Sequence, residues 1–194
     1  MTIQHKLITD PDIHEPKGVA AATVGKVYLS DGAGSGAWTY PSGRVHGEVY
    51  IDAGATSQTL SGSSAYARLD PGTEWTAGVT NILTLNATDG TITLVEAGTY
   101  LINFWCQFST AAIASGTLYN FKFALDGTTS GRTLTVSKTS NGSDKLHISA
   151  SGLTTATANQ VLSIYVGGDA TSSGTAITVI EAGLSAIRDR KSVV

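Results

Sequence analysis

The stretch Gly98-Thr-Tyr-Leu-Ile-Asn-Phe-Trp-Cys-Gln-Phe108 decides the fold. Along it Tyr100, Ile102, Phe104, Cys106 and Phe108 alternate with Leu101, Asn103, Trp105 and Gln107. Side chains of an extended chain point to opposite faces with a period of two, so this alternation predicts a strand with one thoroughly buried face. Leu118–Leu125 repeats the pattern, with Tyr119, Phe121, Phe123 and Leu125 on one face and Asn120, Lys122 and Ala124 on the other. Working outward, strand patterns recur at Arg44–Asp52, Ser64–Leu69, Asn81–Leu85 and Thr91–Leu94 on the N-terminal side. On the C-terminal side they recur at Arg132–Val136, Lys145–Ser151, Gln160–Val166 and Ala176–Ile187. Asp89-Gly90, Asp126-Gly127, Asn141-Gly142, Gly167-Gly168 and Ser173-Gly174 occupy gaps between them, as residues that accept the positive φ of tight turns. About nine or ten short strands without helical periodicity predict an all-β, two-sheet sandwich.

Composition bounds what such a sandwich does. The chain has 194 residues, room for one sandwich and an appendage. Twelve basic residues against fifteen acidic ones give a net charge of −3 and no basic stripe, which argues against nucleic acid as a partner. Charged residues make up 14% of the chain, against about 25% in typical soluble proteins. The surface is therefore rich in Thr, Ser, Asn and Gly, as where subunits pack on subunits and also in ordinary all-β domains. The lone cysteine, Cys106, sits on the apolar face of the strongest strand, which predicts an inert core thiol and no intramolecular disulfide. Folding in a reducing cytoplasm is the matching expectation. The first ten residues carry no apolar secretory core, and no apolar run approaches the ~20 residues that span a bilayer. Neither a cleaved signal nor a membrane partner is expected.

Two regions differ in character. Residues 1–43 hold Pro11, Pro16 and Pro41, a small-residue run Val19–Gly25, and Asp31-Gly-Ala-Gly-Ser-Gly-Ala-Trp38. Proline removes an amide donor and fixes φ, so this region reads as an extended arm with a small β-element near Lys26–Leu29 and little other regular structure. Residues 44–194 carry the sandwich.

Motifs that would bring chemistry fail on context. Gly32-Ala-Gly-Ser-Gly36 precedes Trp38, Thr39 and Pro41, so no helix N-terminus is available to face a phosphate. His5, His14, His46 and His147 stand at no metal-binding spacing and beside no cysteine. Glu96 and Glu181 each lie in a Glu-Ala-Gly segment read as a turn, where a solvated or backbone-capping role is expected. No nucleophile has a stated partner. The chain reads as non-enzymatic, without cofactor or metal.

Glu96-Ala-Gly-Thr-Tyr100, leading into Ile102 and Phe104, resembles the central motif of the C1q/tumour-necrosis-factor-like jelly rolls. Leu125-Asp-Gly127, Asn159–Val166 and Ala182–Ile187 resemble that family's later hairpin and strands, so the resemblance covers residues 44–190. The closing strand departs from the family in carrying Leu184 and Ile187 where phenylalanines are usual. The resemblance implies a homotrimer in which Tyr100, Phe104, Phe108, Tyr119, Phe121 and Phe123 pack at the threefold interface; the alternative is that the aromatics fill the core of one chain.

His14-Glu-Pro-Lys-Gly18, the small-residue run, Val27-Tyr28 and the Gly-rich segment ending at Trp38 resemble the leader of tailed-bacteriophage virion proteins. This implies a capsid decoration or head-fibre protein on the virion surface, made in the host cytoplasm. Its attachment residues to the major capsid protein or another virion protein would be Ile13, His14, Glu15, Pro16, Lys17, Gly18, Val24, Tyr28 and Trp38. The alternative is a tail-fibre or receptor-binding adhesin for a cell-surface glycan or protein. Trp75, in the loop-like Asp70-Pro-Gly-Thr-Glu-Trp75, is then the candidate receptor contact, with Tyr66 and Trp105 as further stacking platforms. A non-viral C1q-like lectin or matrix module is a third reading, disfavoured by the missing signal and disulfides.

Overall fold

The computed structural model of the chain describes residues 27–30, 36–39, 45–61, 65–130, 132–139, 142–169 and 171–189. The chain divides into two units, residues 1–43 and 44–194. In the first, β1 (Val27–Ser30) pairs antiparallel with β2 (Gly36–Thr39), placing Tyr28 opposite Trp38. Ile13, His14, Glu15, Pro16, Lys17, Gly18 and Val24 lie outside the described residues.

The second unit, the head, is all-β. Its strands are β3 (His46–Ile51), β4 (Ser57–Thr59), β5 (Tyr66–Arg68), β6 (Thr76–Asn81), β7 (Thr84–Asn86), β8 (Thr91–Leu94) and β9 (Gly98–Ile113). They continue as β10 (Leu118–Leu125), β11 (Thr128–Thr129), β12 (Leu134–Ser137), β13 (Gly142–Ala156), β14 (Gln160–Gly168) and β15 (Ala176–Arg188). One sheet runs β13-β9-β15-β3-β6 with β4 beside β15. The other runs β11-β10-β14-β8-β7, with β12 beside β10 and β5 beside β14. Three strands are absent from the sequence reading, β4, β6 and β11; each exposes half or more of its side chains, so apolar alternation does not mark them, whereas β7 overlaps the expected Asn81–Leu85. The segment Glu181-Ala-Gly183 is not a turn: it lies inside β15, just after an irregularity between Val179 and Glu181.

The core is the space between the sheets. From β9, Tyr100, Ile102, Phe104, Cys106 and Phe108 point into it and meet Tyr119 and Phe121 from β10 and Leu162, Ile164 and Val166 from β14. Phe104 and Phe121 lie 5.7 Å apart by ring centroid, Phe108 and Phe121 5.4 Å, and Phe108 and Tyr119 5.3 Å. These tilted and edge-on contacts suit the ring quadrupole and add to burial worth about 1.5–3 kcal/mol per large side chain. Tyr100 donates its hydroxyl to the Glu96 carbonyl at 2.7 Å, so its polar tip is satisfied while its ring stays in the core.

The threefold-interface assignment does not survive this geometry. Tyr100, Phe104, Phe108, Tyr119 and Phe121 are shut between the two sheets of a single chain, where no neighbouring subunit reaches them. Phe123 differs. It is only partly buried, at 6.5 Å from Phe104, on the flank of the sandwich.

Candidate interaction face

The outward surface of the β9 sheet is built from the residues that alternate with the core. Register sets them in rows. Tyr50 of β3 is opposite Gly183 of β15, which is opposite Trp105 of β9, which is opposite Ser149 of β13. The next row is Glu48, Ser185, Asn103 and Ser151, and the next His46, Ile187, Leu101 and Leu153. Toward the other end, Glu181, Gln107 and His147 form a polar row. Gln107 Nε2 and His147 Nε2 are 2.9 Å apart, and Asn103 donates to the Ser185 hydroxyl at 3.4 Å.

Large apolar side chains stand on this face well exposed to solvent: Leu101 is 38% exposed, Trp105 44% and Leu153 71%. Trp105 lies across β15. A Cβ on Gly183 would come within 2.4 Å of its indole nitrogen, so glycine at that row is what lets the ring lie down. A shallow hollow of about 220 Å³ beside the ring is lined by Glu48, Tyr50, Gly183, Leu184 and Ser185. Two large apolar residues on the otherwise polar face of β9 were the sequence signal for this surface; Leu153, inside a Ser-Gly-Thr stretch, gave none.

Other expected positions fall elsewhere. Trp75 is 4% exposed and cannot act as a receptor platform. The carboxylate of Glu74 accepts hydrogen bonds at its Oε1 from the Ala55 and Thr56 amides and the Thr56 hydroxyl, tying that loop to the residue before Trp75, and the tryptophan ring packs on Gly90. Tyr66 is half-buried, with Lys122 Nζ 4.4 Å from its ring centroid. Glu96 pairs with the Arg188 guanidinium, which also donates to the Ala97 carbonyl at 2.7 Å, so its role is to clasp the end of β15. Burial pushes the Cys106 thiol up to about 12, far from the thiolate that reacts. Among the described residues no three His, Cys, Asp or Glu side chains gather as a metal site, and no helix is long and apolar enough to cross a membrane. This face offers shape and apolar area for another macromolecule.

No protein-family model and no curated protein matches the sequence. The fold does match solved structures. "Structure of Eiger TNF from S. frugiperda" aligns over 78% of this chain and 96% of that one, with a TM-score of 0.52 at 12% identity. The fold is a C1q/TNF-like jelly roll. The globular domain of zebrafish complement 1qA protein aligns over 76% of this chain and 100% of that one, with a TM-score of 0.48 at 10% identity. The Gly98–Phe108 strand lies in the interior of its sheet, between β13 and β15.

Proposed function

We propose that this protein is a non-enzymatic structural accessory protein of a tailed-phage virion, a trimer that docks on the phage head through residues 1–43 and projects the jelly-roll head outward. The observation that carries self-association is the solvent-facing apolar surface of Leu101, Trp105 and Leu153 on a complete, well-filled sandwich. The C1q/TNF-like fold supports the same reading. A chain with only 14% charged residues is also suited to subunit packing. The virion role draws its support from the leader-like sequence between His14 and Trp38.

Antibody imaging on purified particles tests the location: label over the phage head is expected. Deleting residues 1–43 is expected to leave a folded trimer that no longer attaches to particles. A tail-fibre adhesin is the second reading, supported by Trp105 as a stacking platform flanked by Tyr50, Asn103 and Gln107. Label confined to the tail would select it, and unlabelled particles would remove both readings.

A further inference from the structure

One flank of the sandwich is open. There β13, an edge of one sheet, faces β11 and β12, edges of the other, across a groove of about 470 Å³ lined by Ile102, Phe123, Leu134 and Leu153. A second hollow of about 450 Å³ shares Ile102 and Phe123 with it and continues to Leu162, Asp126 and Gln160. The floor belongs to the core, because Ile102 and Leu162 are buried. Register explains the opening. The β13 positions opposite Phe108, Cys106, Phe104 and Ile102 of β9 share their inward face, and they read Leu146, Ile148, Ala150 and Gly152. The side chains shrink toward the groove, and nothing lies within 4 Å of where a Cβ on Gly152 would stand. Protein interiors normally leave few voids larger than a water; hollows of this size and lining belong to the range of small-molecule sites.

Charge is unequal along the groove. Arg132 lines the first hollow, is exposed, and makes no ion pair among the described residues. Asp126, in the second, is already engaged: its Oδ1 accepts from the Val161 amide at 2.8 Å and its Oδ2 from the Gln160 side-chain amide at 3.1 Å.

We infer that the groove binds a single-chain amphiphile with an anionic head, of the fatty-carboxylate class. Its head sits on Arg132 and its tail runs along Leu134, Leu153, Phe123 and Ile102 toward Leu162. The site is elongated, as an alkyl chain requires: Ala150 to Thr155 of β13, which line it, span about 17 Å of extended backbone. The two ends fix the direction, since a carboxylate in the second hollow would meet Asp126 and one in the first meets Arg132. With a net charge of −3 the chain is not drawn to an anionic bilayer, so the free monomer is the occupant. The inference goes beyond the virion and trimer readings and rests on neither.

Isothermal titration calorimetry of decanoate into the full chain, below the micelle concentration, tests this. Saturable binding is expected, about tenfold or more tighter than that of decanol. Arg132→Gln is expected to reduce decanoate to the affinity of decanol and to leave decanol unchanged. Gly152→Leu fills open space on an extended strand, so it is expected to abolish binding of both while circular dichroism shows an unchanged fold. Leu153→Asn, at an exposed position, serves if that variant misfolds, and is expected to weaken both ligands about tenfold. Absence of saturable binding would overturn the site, as would binding that neither groove variant weakens. Equal affinity for decanoate and decanol in the wild-type chain would overturn the anionic head. Loss of binding in Trp105→Ser, with the groove intact, would move the ligand to the β9 face and overturn the groove. Sedimentation velocity on the same samples reads assembly separately, so a trimer that binds no decanoate would sink this site and leave the trimer reading standing.

Discussion

Burial beneath β9 raises the Cys106 thiol to about 12 and leaves it no route to a reagent. It is expected to stay unmodified by an aromatic disulfide reagent at pH 8 and to react fully once the chain is denatured. Rapid labelling of the native protein would show that the β9 sheet opens. Phe121 makes the same case for the core: it touches Phe104 and Phe108 and is fully buried. Phe121→Ala is expected to cost about 3–5 kcal/mol of stability, and Phe121→Asp to unfold the head, with no folded monomer left to sediment. Gly90 combines a φ of 63° with a Trp75 ring that a Cβ would approach to 2.3 Å. Gly90→Ala is therefore expected to lose upward of about 2 kcal/mol, from left-handed strain together with overpacking, measurable by urea denaturation.

Among the elements, the turn from β14 to β15 is held in part by one carboxylate. Asp169 accepts hydrogen bonds from the Thr171 hydroxyl at 2.5 Å and from the Thr171 and Ser172 amides at 2.7 and 3.2 Å. These donors, the hydroxyl first, hold its carboxyl below the usual range. A group whose folded value is depressed contributes stability above its unfolded value, and that contribution is lost as pH falls through the folded value. The melting temperature is thus expected to drop on acidification below about pH 4, with a smaller drop in Asp169→Asn. An equal drop in both would place the acid sensitivity elsewhere. At the opposite end of the head, the Arg188–Glu96 clasp is partly solvated, and Glu96→Gln is expected to cost no more than about 1 kcal/mol.

At the scale of the molecule, the head has its own core, which among the described residues is filled from residues 45–186. Residues 44–194 expressed alone are expected to melt within a few degrees of the full chain; a much lower melting temperature would mean that the arm stabilises the head. Apart from Phe123, the aromatic residues that the family resemblance placed between subunits belong inside one subunit. What remains for a partner is the Leu101–Trp105–Leu153 surface and the flank beside it. The first is set by strand register within one sheet and the second by how two sheets meet, and each combines residues distant in the chain.

The strand content and the buried face of Gly98–Phe108 were legible because alternation is a local property: each side chain's direction follows from its neighbours in an extended backbone. For the same reason Leu101 and Trp105 could be placed on the opposite face to the core. Which aromatic faces a neighbour and which faces its own core is not local. It depends on the sheet that β10 packs against, and β10 pairs with β14 across about forty residues of chain. The burial of Trp75 against Gly90, next to a Glu74 that accepts from a loop nineteen residues upstream, is likewise not a local property. Sequence determined the class of fold and the two faces of its central strand; the tertiary structure alone decided which aromatics fill the core, which apolar residues stay in water, and where Glu48 and Arg132 stand beside them.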